Sequence, residues 1–197
     1  MSLDLRHMRF LTSANKLSDL PPDTGAEVAF AGRSNAGKSS ALNRITGVKA
    51  LARTSKTPGR TQLINLFQLD EGRRFADLPG YGYAQVPEKI RNHWRALLDG
   101  YFHSRQSLRG VILVMDIRHP LKAFDVQMLD WSAHHGLPVH ILLTKADKLS
   151  RNQAMQALHR VDRELSEECS IQLFSASKGT GVAEVQAVIE GWLGEAV

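Results

Sequence analysis

The stretch Gly32-Arg33-Ser34-Asn35-Ala36-Gly37-Lys38-Ser39, followed by Ser40, fits G-x-x-x-x-G-K-[ST] and lies between an apolar, β-rich run at residues 27–31 and a helical pattern at residues 38–46. That placement restricts the fold more than any other feature of the chain. A strand has to end, the backbone has to bend sharply at glycines, and a helix has to begin with its positive end facing the bend. Successive backbone N–H groups then converge on an anion. Lys38 would reach the β and γ phosphates of a nucleotide, and the Ser39 hydroxyl would coordinate a magnesium ion between them.

The rest of the chain repeats the strand–helix alternation. Further β-rich runs fall at residues 63–69, 74–78, 111–117, 139–144 and 171–175, and helical patterns at 88–104, 124–135, 152–166 and 182–193. Such alternation predicts an α/β domain, a mainly parallel sheet with helices on both faces. Residues 63–78 break the pattern, because two strands joined by Asp70-Glu71-Gly72 form a tight hairpin. The expectation is a six-stranded sheet with one antiparallel edge strand, in a Ras-like P-loop domain over residues 25–197. Residues 1–24, polar and ending in Pro21-Pro22, are expected as an N-terminal extension packed on its surface.

Composition narrows the setting. A chain of 197 residues with 43% apolar and 23% charged side chains reads as one globular domain. No run approaches the roughly 18 apolar residues needed to cross a bilayer, so no membrane insertion is expected. The single cysteine, Cys169, excludes an intramolecular disulfide, and no Cys/His cluster has zinc-site spacing. A cytoplasmic monomer is the resulting expectation. The net charge of +5 is unevenly spread: residues 28–69 hold Arg33, Lys38, Arg44, Lys49, Arg53, Lys56 and Arg60 without one carboxylate. Such a span suits a polyanionic partner. From Asp162 onward the balance turns acidic.

Three further segments give the phosphate loop a context. Asp77-Leu78-Pro79-Gly80 ends the hairpin's second strand, where Asp77 can hold a magnesium-bound water and Gly80 can offer its N–H to a γ-phosphate. Thr144-Lys145-Ala146-Asp147 ends the strand at 139–144, at the carboxyl edge where ligands bind in open α/β sheets. There the Asp147 carboxylate can accept from the N1–H and 2-amino group of guanine, for which adenine has no equivalent donors, while the Lys145 stem lies along the base. The first position of this box is usually Asn, and Thr144 is smaller. Ser175-Ala176-Ser177, after the last strand, supplies N–H groups near the guanine carbonyl. Between the first helix and the hairpin, Gly59, Arg60, Thr61, Gln62 and Leu63 form a candidate switch segment. Thr61 is chosen there over Thr54 and Thr57 as the second magnesium ligand because it directly precedes the strand.

With these boxes assigned, the chain resembles the bacterial EngB (YihA/YsxC) GTPases of the translation-factor-related P-loop class. The resemblance covers nearly the whole chain and rests on residues 27–40, 56–62, 77–84 and 115–120, the last two stretches being dispensable for nucleotide binding in general. It implies GTP/GDP binding, a role in assembling the large ribosomal subunit through its rRNA, and an association with cell division and septation. It extends to GTPases whose loop Asn, Asn35 here, helps hold K⁺ where an arginine finger would otherwise sit. Tyr81 stands where many relatives of Ras place a water-orienting Gln, so unassisted turnover is expected at ~10⁻³ s⁻¹ or below. A septum-directed GTPase and a metabolic P-loop kinase are the competing readings. Asp147 and the absence of a second-substrate domain speak against the kinase. His119, His134 and His135 are read as solvated or packed side chains rather than catalysts.

Overall fold

The computed structural model describes residues 3–52, 63–80 and 87–194. Seven strands form one sheet: β1 (Arg9–Ala14), β2 (Ala26–Gly32), β3 (Ile64–Asp70), β4 (Arg73–Asp77), β5 (Leu108–Asp116), β6 (Val139–Thr144) and β7 (Cys169–Leu173), in the order β1-β3-β4-β2-β5-β6-β7. The pairs β4–β2, β2–β5, β5–β6 and β6–β7 are parallel, and β1–β3 and β3–β4 are antiparallel. Five α-helices accompany them: α1 (Lys38–Thr46), α2 (Glu88–Ser104), α3 (Ala123–His134), α4 (Arg151–Asp162) and α5 (Val182–Gly194). None of the described helices is long and apolar enough to cross a membrane.

β2 is buried along its whole length and divides the core. Its side chains alternate, as a strand's must. Val28 and Phe30 join Leu42 and Ile45 of α1 and Val185, Ile189 and Leu193 of α5 on one face. Ala29 and Ala31 join the opposite cluster with Leu97, Leu98 and Tyr101 of α2, Met128 of α3 and Ala154 and Val161 of α4. The helices present matching stripes. In α2 the buried residues Trp94, Leu97, Leu98, Tyr101 and Phe102 fall at the 3–4 residue spacing of one helical face. α1 is bracketed by Gly37 and Gly47, both left-handed, with φ of 94° and 72°.

The sheet differs from the expected six strands with a single antiparallel edge strand. Residues 9–14, placed by the sequence in a surface extension, add a seventh strand outside β3, with Arg9 opposite Gln68 and Ala14 opposite Ile64. An edge strand with Arg9, Phe10 and Leu11 exposed carries no burial periodicity to betray it. The final strand also ends earlier than expected, at Leu173, leaving Ser175 in a bridge to Thr180.

The extension is fastened at the amino end of β2 by a buried ionic cluster. Glu27, fully buried, accepts hydrogen bonds from the Tyr101 hydroxyl at 2.6 Å, from Arg105 at 2.9 and 3.2 Å and from Arg74 at 3.3 Å. The two arginines donate onward to backbone carbonyls of the extension, Arg105 to Pro21 at 2.8 Å and Arg74 to Pro22 at 3.1 Å and to Thr24. Asp23 returns the link by accepting from the N–H groups of Gln106 and Ser107, each at 2.8 Å. Burial and the Glu27 carboxylate raise the Tyr101 phenol well above its usual pKa. Burial works against the Arg105 charge, but the Glu27 hydrogen bonds outweigh it and raise Arg105 above the ordinary arginine value.

Removing one member of a buried ion cluster leaves uncompensated charge. Glu27→Gln is therefore expected to lower stability by about 3–5 kcal/mol, or roughly 6–20 °C in Tm. Tyr101→Phe, which deletes only one hydrogen bond, should cost about 1–3 kcal/mol. Urea and thermal unfolding of both variants measure the difference, and equal losses would show that charge compensation is not what the cluster provides.

Candidate functional site

Parallel strands gather their carboxyl ends on one edge of the sheet, and the sequence-predicted boxes leave from those ends. The loop between β2 and α1 turns at Asn35, with φ of 63°, and Gly37. The Gly37 carbonyl accepts the N–H of Ala41 at 2.8 Å, so α1 is hydrogen-bonded from its start. β4 runs beside β2 with Asp77 opposite Phe30, and the Leu78 N–H extends that ladder to the Phe30 carbonyl at 2.9 Å. This register brings Asp77 against the loop, where it forms a nearly buried ion pair with Lys38. Gly80 lies close alongside: a Cβ there would stand 3.4 Å from the Gly32 carbonyl oxygen and 3.5 Å from the Ser34 nitrogen.

β6 delivers the second group. Thr144 is buried, and its hydroxyl faces the carbonyls of Ala36 and, at 3.0 Å, Met115. A hydroxyl has one proton to share between them. Thr144 therefore ties the phosphate loop to the ends of β5 and β6 from beneath, the short side chain fitting below Gly37. Lys145 turns through a left-handed φ of 59° and donates its ammonium to the Asn35 carbonyl at 2.7 Å, while pairing with Asp116 at 2.9 Å. Asp116 also accepts two hydrogen bonds from Arg118, at 2.9 and 2.7 Å. Burial would raise the Asp116 carboxyl, but Arg118 and Lys145 together hold it well below the usual carboxylate range.

Asp147 faces the loop that follows β7. The Ser175 hydroxyl donates to its carboxylate at 2.6 Å and thereby lowers its pKa. Ser175 is fixed in turn by the N–H of Lys178 at 3.2 Å and by contact with the Ser177 hydroxyl at 3.1 Å. The Ala146 N–H bonds the Phe174 carbonyl at 3.2 Å, joining the two loops. Ser39 and Ser40 open α1 and Leu63 immediately precedes β3. Gly59, Arg60, Thr61 and Gln62 lie outside the described residues, as does Tyr81.

The structure thus assembles Gly32–Ser40, Asp77–Gly80, Thr144–Asp147 and Ser175–Ser177 at one edge. It also adds two side chains with no assigned role in the sequence reading. Asp116 anchors Lys145, and Asp125 of α3 is buried near the loop with Arg33 acting on its charge. A carboxylate at the end of an apolar strand was the available signal for Asp116. For Asp125 there was none. His134 and His135 lie at the other end of α3, their rings 5.0 Å apart and His135 stacked on Phe102, so they take no part in this edge.

Residues 27–145 match a family model described as 50S ribosome-binding GTPase. The probable GTP-binding protein EngB of Stenotrophomonas maltophilia is 56% identical over 198 residues, covering 98% of this chain and 99% of that protein. The protein of the same name from Coxiella burnetii is 55% identical, covering 93% and 91%. Among solved structures, a probable GTP-binding protein engB superposes with a TM-score of 0.70 over 86% of this chain and all of that one, at 21% identity. Aquifex aeolicus Era bound to GDP and aluminium fluoride gives 0.66 over 86% and 57%, at 18% identity. These last two likenesses speak for the fold, whereas identity above one half along nearly the full length of both chains speaks for common descent of the site as well, and the chain belongs to the EngB family of GTP-binding, GTP-hydrolysing proteins.

Proposed function

We propose that this GTPase is a magnesium-dependent nucleotide switch that acts on the precursor of the large ribosomal subunit. The observation that carries the partner is the match of residues 27–145 to a family described by 50S ribosome binding. The carboxylate-free span 28–69, crowded with cations around the phosphate loop, supports it through rRNA phosphates. The competing reading, a GTPase serving septum proteins directly, needs no such field.

In this reading each paired group at the edge exchanges partners when nucleotide enters. Lys38 would exchange Asp77 for the β and γ phosphates, and the carboxylate would then hold a water of the metal. The donor set would fit magnesium: the hydroxyl oxygens of Ser39 and Thr61 would bind it directly and Asp77 would hold one of its waters, which suits an ion that keeps waters and phosphates as its main ligands. Magnesium supplies charge neutralisation between those phosphates. Gly80, held against the loop, offers its N–H to the γ-phosphate. Asp147, oriented by Ser175, accepts from the guanine edge, and Lys145, anchored by Asp116, lies along the base.

Lys38→Ala should abolish tight GTP binding, because it removes the ammonium assigned to the β and γ phosphates. Asp147→Asn should shift preference toward xanthine nucleotides, since an amide donates where the carboxylate accepted. Competition titrations with GTP, ATP and XTP read this out, and unchanged ratios would remove Asp147 from base recognition.

Slow turnover calls for assistance, and we assign part of it to K⁺ held with the help of Asn35. Hydrolysis is then faster in potassium than in sodium at equal ionic strength, and Asn35→Ala erases the difference. Equal rates in the two salts for the unaltered protein would exclude the assignment.

The partner is tested by co-sedimentation with large-subunit particles at two salt concentrations, with GDP and with a non-hydrolysable GTP analogue. The GTP form should pellet more, high salt should release it, and Arg53→Ala with Lys56→Ala should weaken pelleting while leaving GTP affinity nearly intact. Equal, salt-insensitive pelleting in both states would favour the septum-directed reading.

A further inference from the structure

Beside the phosphate loop, on the side of α3, lies a cavity of about 220 Å³ whose lining includes Arg33, Asn35, Asp116, Arg118, His119 and Asp125. Its lining takes in the phosphate loop and Lys145 but not Lys38, Asp77, Asp147 or Ser175, so the space adjoins the nucleotide edge on the side of α3. Asp125 is the third residue of α3 and 1% exposed. One carboxylate oxygen, Oδ2, accepts the Lys122 N–H at 2.9 Å in a capping arrangement. The other, Oδ1, is buried without a hydrogen-bond partner among the described residues. A buried carboxylate oxygen without a partner is costly and calls for an explanation. Across the same cavity stands Arg33, the first variable residue of the loop. Its charge is felt by Asp125, yet its guanidinium makes no ion pair among the described residues. An orphaned acceptor and an unengaged donor therefore share one space with room to meet.

We propose that Asp125 is a positioning residue for nucleotide binding, which takes Arg33 onto its free Oδ1 and so latches the phosphate loop to the amino end of α3. The latch makes the loop's backbone N–H groups a fixed cradle rather than a mobile one, and it slows nucleotide release. It depends on nucleotide binding alone and is independent of the ribosomal reading. Nothing in it requires contact between Asp125 and the nucleotide.

Pairing needs the ionised carboxylate. Burial raises the Asp125 carboxyl to about 6, against the opposing pull of the Lys122 N–H and the Arg33 charge. The latch is therefore made above pH 6 and lost as pH falls through it. The other charged or titratable groups around the cavity are Asp116 and Arg118, already paired with each other, His119 on the same loop, Lys122 at the helix cap and Lys145 after β6.

The test is the dissociation rate of a fluorescent GDP from the full-length protein between pH 5.5 and 7.5. Release from the unaltered protein should slow as pH rises. Asp125→Asn and Arg33→Gln should each speed release about tenfold at pH 7.5, the scale of one charge-assisted hydrogen bond, and each should flatten the pH profile. The double variant should be no faster than either single one, Asp125→Glu should restore part of the effect, and His119→Gln should keep the pH dependence. Arg33→Gln, on a half-exposed loop residue, carries the test if Asp125→Asn unfolds. Additive effects, or a pH profile unchanged by Asp125→Asn, would overturn the latch.

Discussion

The register of β2 with its two parallel neighbours is the constraint from which the site follows. β2 is buried on both faces, so its pairing cannot slip by one residue without driving Phe30 and Val28 toward the wrong helices. With Phe30 opposite Asp77 on one side and Ile112 on the other, the ends of β4 and β5 flank the loop that leaves β2. β6 then follows β5 with Thr144 opposite Asp116. Every polar group at the edge is placed by this lateral ladder rather than by its neighbours in sequence. Lys38 and Asp77 are 39 positions apart, and Lys145 and Asn35 are 110 apart.

The charges of the edge satisfy one another. Lys38 is paired with Asp77, Lys145 with Asp116, and Asp147 with the Ser175 hydroxyl. A half-buried charge without a partner would destabilise the fold. These pairings let the edge hold several charges at moderate cost, because each is matched by a neighbour. Asp125 is the exception, because one of its oxygens is left unmatched.

The two ends of the sheet are built differently. At the amino end of β2 a carboxylate, two guanidiniums and a phenol are mutually hydrogen-bonded, and they pin the chain through Pro21, Pro22 and Thr24. Counting Asp23, which pairs with Arg105, two carboxylates there face the two guanidiniums. At the carboxyl end the contacts are single pairs, the nearly buried Lys38 with Asp77 and the half-buried Lys145 with Asp116 and the Asn35 carbonyl, rather than one interlocked cluster. Stability and adaptability are separated by the length of a strand, which suits a fold whose loops respond to a ligand while its core does not.

The amino-acid sequence by itself determined the strand–loop–helix unit around Lys38, the alternation that builds the parallel sheet, and the placement of Asp77, Asp147 and Ser175 along the carboxyl edge of that sheet. These depend on local chemistry: glycines that permit a bend, apolar periodicity that selects helix or strand, and polar residues at strand ends. Helices α1 and α2 begin and end where their patterns do, because their buried stripes and flanking residues are local signals. Tertiary structure decided what depends on partners distant in sequence. β1 became a strand only because β3 offered an unpaired edge, and its own exposed Phe10 and Leu11 gave no sign of it. Thr144, read as part of base recognition, turned out to spend its hydroxyl on the carbonyls of Ala36 and Met115, contacts visible only once three strands are side by side. Asp125 carried no signal in the sequence, and only the packing of α3 against the phosphate loop buries it and leaves one oxygen unmatched among the described residues, because burial and hydrogen-bond satisfaction are properties of the assembled chain.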